Sequence, residues 1–232
     1  MSDLDAALRR FFSALEDRLT AGAAREADAE AAAGIAAFAR DVAAVRPVPR
    51  PDSGPPVPPL PVCRFWDAAL AGATAVPAEE VRALGPALRW TQNPNYRRRP
   101  PDPRFLENYG YAVIAGPESA ADPPLVAGNG GLAVGLLLLG PGTHYPLHRH
   151  PATELYCVIG GAAEWRRGDS PWRVQPPGAL IHHPSGLAHA TRTGAEPLLA
   201  VYLWRGDLAT RARLIAADAG APDSGLPGQV RP

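Results

Sequence analysis

The sequence predicts a mainly β fold, a double-stranded β-helix or jelly-roll barrel of antiparallel strands, carrying an N-terminal α-helical extension. Three observations lead there. From Tyr109 to Trp204 the apolar residues fall in short runs broken by glycine and proline, the pattern of strands joined by tight turns. Before Val45 they recur every three or four positions, the period of a helix face. All six histidines of the chain lie between Gly142 and Thr193, inside the strand-rich part.

In chain order, Leu4, Ala7, Leu8, Phe11, Phe12, Leu15 and Leu19 make one apolar face of a first helix over residues 2–19, with Gly22 as its stop. An alanine-rich second helix is expected from Ala24 to Val45, turning Ile35, Phe38, Ala39 and Val42 inward. The two form a hairpin over residues 1–46 that packs on the barrel or on a second subunit, the route to a homodimer. Residues 47–61 are proline at about every second position, which forbids helix and ladder alike and reads as a linker or strap. Residues 62–108 form a mixed segment against the barrel. It holds one short helix, Ala78 to Leu84, framed by Pro77 and Gly85-Pro86, while Trp90 and residues 94–103 read as irregular.

The barrel itself spans residues 109–207. Its expected strands are Tyr109–Ala115, Leu132–Leu139, Leu155–Ile159, Ala162–Arg166, Trp172–Val174, Ala179–His182, His189–Thr193 and Leu198–Trp204. Residues 208–232 read as a last helix, Leu208 to Ala217, and a glycine- and proline-rich tail.

Composition excludes several functions. Twenty-three basic residues balance 23 acidic ones, and Arg97-Arg98-Arg99 is an isolated basic run, so no nucleic-acid partner is expected. There is no lysine, which removes Schiff-base and P-loop chemistry. The two cysteines, Cys63 and Cys157, lie far apart with no CxxC spacing, consistent with a reducing cytoplasm. The acidic start lacks a secretory signal, and Leu132–Leu139 falls well short of the roughly 20 apolar residues that cross a bilayer, so no membrane insertion is expected.

The histidines follow two spacings, Gly142-x5-His148-x-His150-x3-Glu154-x6-Gly161 and Gly178-x5-Pro184-x-Gly186-x2-His189-x3-Thr193. Alternate residues of a strand share a face, so His148, His150, Glu154, Tyr156 and Val158 can all line a barrel interior. His189, from another strand, completes a set of three imidazoles and one carboxylate. Such a set suits one divalent transition metal ion, Zn, Fe, Mn, Ni or Co, over Ca or Mg. His144, His182 and His183 fall outside the ligand positions and are expected in loop or supporting roles.

Both spacings resemble the paired motifs of the cupin superfamily. The stretch from Tyr145 to Tyr156, with Tyr156 two residues beyond the acidic ligand, resembles the cupin-type dimethylsulfoniopropionate (DMSP) lyases of marine bacteria, which also join a helical N-terminal part to a C-terminal cupin. The resemblance implies that His148, His150, Glu154 and His189 hold the metal, that Tyr156 is the base, and that Tyr145 helps to bind substrate. One departure is Thr193, where the second motif usually ends in Asn.

The implied reaction is a β-elimination. A proton leaves the carbon next to the carboxylate, and dimethyl sulfide departs as a neutral molecule. A tyrosine base has an ordinary pKa of about 10, so its ionisation at pH 7 costs roughly 4 kcal/mol without a nearby cation. The sulfonium end calls for aromatic faces, for which Tyr202 and Trp204 on one strand face are the better candidates, beside Trp165 and Trp172. The competing expectations are another metal-dependent cupin enzyme, a dioxygenase needing Fe(II) and oxygen or an isomerase, and a non-catalytic cupin that binds a small ligand.

Overall fold

The computed structural model describes residues 3–48, 58–71, 73, 75–117, 124–127 and 130–215. Most of the proline strap, the last two residues of the expected last helix and the tail lie outside these residues. Among the described residues, twelve strands build two facing sheets. One contains β1 (Trp90–Thr91), β2 (Tyr109–Gly116), β3 (Val126–Ala127), β4 (Leu132–Leu139), β6 (Thr153–Gly160), β9 (Leu180–His183) and β11 (Leu198–Arg205). Its order is β1-β2-β4-β11-β6-β9, with β3 beside β2. The other runs β12-β5-β10-β7-β8 and contains β5 (His144–Arg149), β7 (Ala163–Arg167), β8 (Arg173–Gln175), β10 (His189–Thr193) and β12 (Arg213–Leu214). Every pairing is antiparallel apart from β2 with β3.

The larger sheet is buried on both faces, and strand alternation divides its side chains between two cores. Leu155, Cys157 and Ile159 of β6, with Leu199, Val201 and Leu203 of β11, face an outer core. There they meet Leu8, Phe11 and Leu15 of α1 (Asp3–Ala23) and Ile35, Phe38 and Val42 of α2 (Ala29–Ala43). The helical hairpin thus spends its apolar face on the barrel wall. Each such fully buried leucine or phenylalanine stabilises the fold by about 1.5–3 kcal/mol relative to exposure. The intervening residues, Tyr156, Val158, Ala200, Tyr202 and Trp204, belong to the inner core. No helix among the described residues is long and apolar enough to cross a membrane.

Several local expectations change. The first helix continues through Gly22, because that glycine serves close approach: a Cβ there would collide with Leu180. The break falls instead before Asp28, whose carboxylate caps α2 by accepting the Ala31 N–H at 2.8 Å. Residues 62–108 are more ordered than expected. They hold α3 (Trp66–Ala71), α4 (Ala78–Leu84), β1 at Trp90, and α5 (Pro94–Arg98), whose cap Asn93 accepts the Asn95 N–H at 2.9 Å. A helix this short shows no periodicity to read. Strand β5 is polar and contains Pro146, so no apolar run marks it. The expected helix from Leu208 is corrected by β12, where Arg213 and Leu214 pair with Arg149 and His148. The open edge of β5 offers that segment ladder bonds, extended by the Ile215 N–H to Leu147 carbonyl at 2.8 Å.

The motif glycine Gly161 turns β6 into β7 at φ 75°, and a Cβ would run into the Pro197 carbonyl oxygen. Replacing it with alanine adds backbone strain to a clash with main chain that cannot rotate away. Gly161→Ala is therefore expected to lower unfolding free energy by at least about 2 kcal/mol, read as a reduced denaturant midpoint at unchanged slope.

Candidate metal centre and cleft

Strands β5, β6 and β10 bring the charged part of the interior together. β10 pairs with β5 so that His189 lies opposite His148. In each of three histidines the Nδ1 faces a backbone carbonyl: His148 to Pro146 at 2.8 Å, His150 to Ala152 at 3.0 Å and His189 to Leu187 at 2.9 Å. A carbonyl only accepts, so Nδ1 carries the proton of the neutral ring and Nε2 keeps a lone pair. His150 Nε2 and His189 Nε2 both stand 3.0 Å from one oxygen, Oε2 of Glu154. The buried His189 Nε2 makes no hydrogen bond there. Lone pairs facing a carboxylate repel unless a metal ion or a second ring proton lies between them. Ligand atoms about 2.0–2.2 Å from one ion and at right angles would sit about 3 Å apart, so the three residues fit a metal ion.

All three side chains are buried, with their ligand atoms within 4.8 Å of one another. His148 stands beside this cluster and outside it, its ring centre 4.1 Å from that of His189 and 6.5 Å from that of His150. Burial presses the Glu154 carboxyl upward, but the neighbouring imidazoles, His150 first and then His189, outweigh it and hold the group well below the usual carboxylate range. Burial presses His150 down, and Glu154 overrides this to leave it raised. His148 is driven well down by burial and by the positive charge of His189.

The second Glu154 oxygen is held by Trp204, whose indole N–H donates to Oε1 at 2.5 Å while its ring stacks on His150 with centroids 4.0 Å apart. Trp204 therefore orients two cluster residues, a role beyond the expected sulfonium contact. His183 also lies in the interior, stacked on His189 at 4.2 Å and 9°. It shares the period-two face of β9 with Ile181, the signal by which the sequence could have placed it. His182 points the other way, its ring against Gly34 of α2. His144 is exposed, near Trp172. The Thr193 hydroxyl accepts the Thr143 N–H at 2.8 Å and donates to the Gly140 carbonyl at 2.7 Å, so the departure from Asn serves a turn, away from the cluster.

A cleft of about 650 Å³ opens over Glu154. Tyr109, Tyr111, Tyr145, Tyr202 and Trp204 border it on the barrel side. Tyr202 has room because β4 carries Gly135, where a Cβ would strike the tyrosine ring. Residues 206–209, 211 and 212 form the facing wall, with Arg211 donating to the Tyr111 hydroxyl at 2.9 Å. That wall is fastened at the Ala212 carbonyl, which accepts from the amides of Asn93 at 3.0 Å and Asn95 at 3.1 Å. Tyr145 lies flat on His148, centroids 3.9 Å apart at 3°. Tyr156 does not border the cleft; its ring leans on Trp165 at 4.7 Å. Burial, then the charge and hydrogen bonding of Glu154, push its phenol well above 10. Sequence reading missed Asn93, Tyr96 and Arg211, which stand on elements it left irregular or misassigned.

An antiparallel double-stranded β-helix with imidazoles and a carboxylate converging inside it defines a cupin. A family model for dimethylsulfoniopropionate lyases matches residues 36–200, and the protein belongs to that family. The curated relative DMSP lyase DddQ of Ruegeria pomeroyi is 46% identical over 79 residues, 34% of this chain. That match spans 39% of the relative's own length. The crystal structure of DMSP lyase DddQ from Ruegeria pomeroyi DSS-3 superposes with a TM-score of 0.64 at 28% identity, covering 90% of this chain and 98% of that one. A chain from the crystal structures of DMSP lyases RdDddP and RnDddQII gives the same TM-score of 0.64, at 26% identity, with 90% and 98% covered.

Trp204→Phe keeps a ring against His150 and deletes the bond to Glu154. It is expected to weaken Zn²⁺ binding by about tenfold, the usual effect of removing a ligand's orienting partner, read by competition with a chromophoric chelator.

Proposed function

We propose that this protein is a metal-dependent carbon–sulfur lyase that splits DMSP into dimethyl sulfide and acrylate. The observation that carries the reading is the convergence of His150 and His189 on one Glu154 oxygen, at the edge of an aromatic cleft, in a chain of the DMSP lyase family. His150, Glu154 and His189, with His148 beside them, would hold one divalent transition metal ion. When bound, the ion supplies positive charge that stabilises the negative charge gathering at the substrate carboxylate.

The chain's own residues account for the rest. Tyr145 borders the cleft next to Glu154 and offers its hydroxyl to a carboxylate oxygen. Tyr202 and Trp204 turn π faces toward the sulfonium, which an aromatic wall attracts as it does other onium ions. Tyr156, which lies beside Glu154 behind the cleft lining and must come within reach of the substrate to act, takes the proton from the carbon next to the carboxylate. As that bond breaks, its electron pair forms the carbon–carbon double bond, and the carbon–sulfur pair leaves with neutral dimethyl sulfide. No acid is needed at the leaving group. Burial and the Glu154 charge both oppose the Tyr156 phenolate, so the base works only where added positive charge offsets them. An oxygenase in the same fold would consume oxygen, and a binding protein would release no product.

Dimethyl sulfide in the headspace above purified protein and DMSP is expected to stop with chelator and return with metal; no release under any of several divalent metals sinks the lyase reading. Tyr156→Phe is expected to lose at least about a hundredfold in kcat with little change in KM, and Tyr145→Phe mainly to raise KM. The reverse ranking moves the base to Tyr145. In an ultraviolet pH titration the metal-free protein should show the Tyr156 phenolate only above pH 10. Metal loading should bring one phenolate to lower pH, a signal absent from Tyr156→Phe.

A further inference from the structure

Tyr96, on the short helix α5, has no part in the reaction described above. It is 1% exposed and does not border the cleft. Its ring is boxed edge-on by Phe105 at 5.9 Å, Tyr109 at 5.7 Å and Tyr145 at 5.6 Å. Among the described residues its hydroxyl meets one hydrogen-bond partner, the Tyr145 hydroxyl, at 3.0 Å. A phenylalanine would fill the same aromatic box. What the oxygen adds is that one bond, inside a cage otherwise made of rings.

Two directions of donation are open, and burial decides between them. If Tyr145 donated to Tyr96, the Tyr96 proton would be stranded among the rings of Phe105 and Tyr109, and a buried donor left without an acceptor is costly. If Tyr96 donates, both protons are used, because Tyr145 borders the cleft and can reach an acceptor there. The Tyr145 ring cannot adapt by tilting, since it lies flat on His148 at 3.9 Å. The torsion of its O–H is the remaining freedom, and the bond from Tyr96 fixes it.

We propose that Tyr96 is a positioning residue whose hydroxyl donates to the Tyr145 oxygen and so aims the Tyr145 proton into the cleft, at the carboxylate of a bound acid. This rests on the lyase reading only in making that acid DMSP; any short carboxylate entering the cleft meets the same donor. Chained hydroxyls polarise one another, so the Tyr145 bond to an anion is also strengthened. Asn93 extends the arrangement to the main chain. It caps α5, which carries Tyr96, and ties that helix to Ala212 across the cleft.

The test is a double-mutant cycle on metal-loaded protein, with propionate affinity measured by calorimetry and DMSP cleavage by dimethyl sulfide release. Tyr96→Phe should weaken propionate binding and raise the KM for DMSP by about fivefold, the effect of one oriented neutral hydrogen bond, with kcat nearly kept. In a Tyr145→Phe background the same change should alter both by less than about twofold, because the bond it acts through is already gone. A purely structural role for Tyr96 would lower thermal stability and leave the affinity of the folded protein unchanged. Equal losses in both backgrounds, unchanged affinity in Tyr96→Phe, or no propionate binding by the parent protein would overturn the proposal. A coupled loss of propionate affinity in protein that releases no dimethyl sulfide would leave the tyrosine pair standing and reject the lyase reading alone.

Discussion

The interior of this barrel is organised by one buried carboxylate oxygen that two imidazole nitrogens share. The Nε2 atoms of His150 and His189 each stand 3.0 Å from one oxygen of Glu154, and all three side chains are buried. Left as neutral rings beside an ionised acid, these groups would push one another away. Three backbone carbonyls hold the ring tautomers, and an indole N–H holds the far carboxylate oxygen, so the groups cannot turn aside. A protein tolerates such an arrangement when positive charge arrives to resolve it. The fold supplies the stiffness: Glu154 sits mid-sheet, with β11 on one side and β9 on the other.

That stiffness comes from outside the barrel as much as from within. The face of β6 opposite Glu154 and Tyr156 carries Leu155, Cys157 and Ile159 under the helical hairpin. The hairpin therefore backs the strand that holds the carboxylate. Asp41 of α2 reaches Arg205 at 2.9 Å, one residue beyond Trp204, and joins the helices to the strand end that orients Glu154. An exposed pair of this kind contributes at most about 1 kcal/mol, so its importance is geometric.

The sequence disclosed most of the barrel because strands buried on both faces read as short continuous apolar runs between glycines and prolines. The apolar runs of β2, β4, β6, β10 and β11 are where strand patterning predicts them, and the histidine spacings mark the interior face of β5 and β6. The features it hid share a physical reason. Strand β5 is polar, α5 is a single turn, and β12 exists because another strand's edge is free to receive it. None of these leaves a periodic trace, since each is decided by a partner distant in the chain. The tyrosine beneath Tyr145 and the amides that hold Ala212 were lost with them. Trp204 was found for its aromatic face, while its indole N–H, which grips Glu154, could be seen only once β11 and β6 were paired in register.

The fastening at Ala212 ties one wall of the cleft to the helix that carries Tyr96. Two side-chain amides from the segment around α5 close on one peptide carbonyl of the facing wall, so the width of the entrance is set at residues 93, 95 and 212. The histidines and Glu154 lie on other elements. Changes in that small set would shift the facing wall and, through α5, would also reach Tyr96 beneath Tyr145.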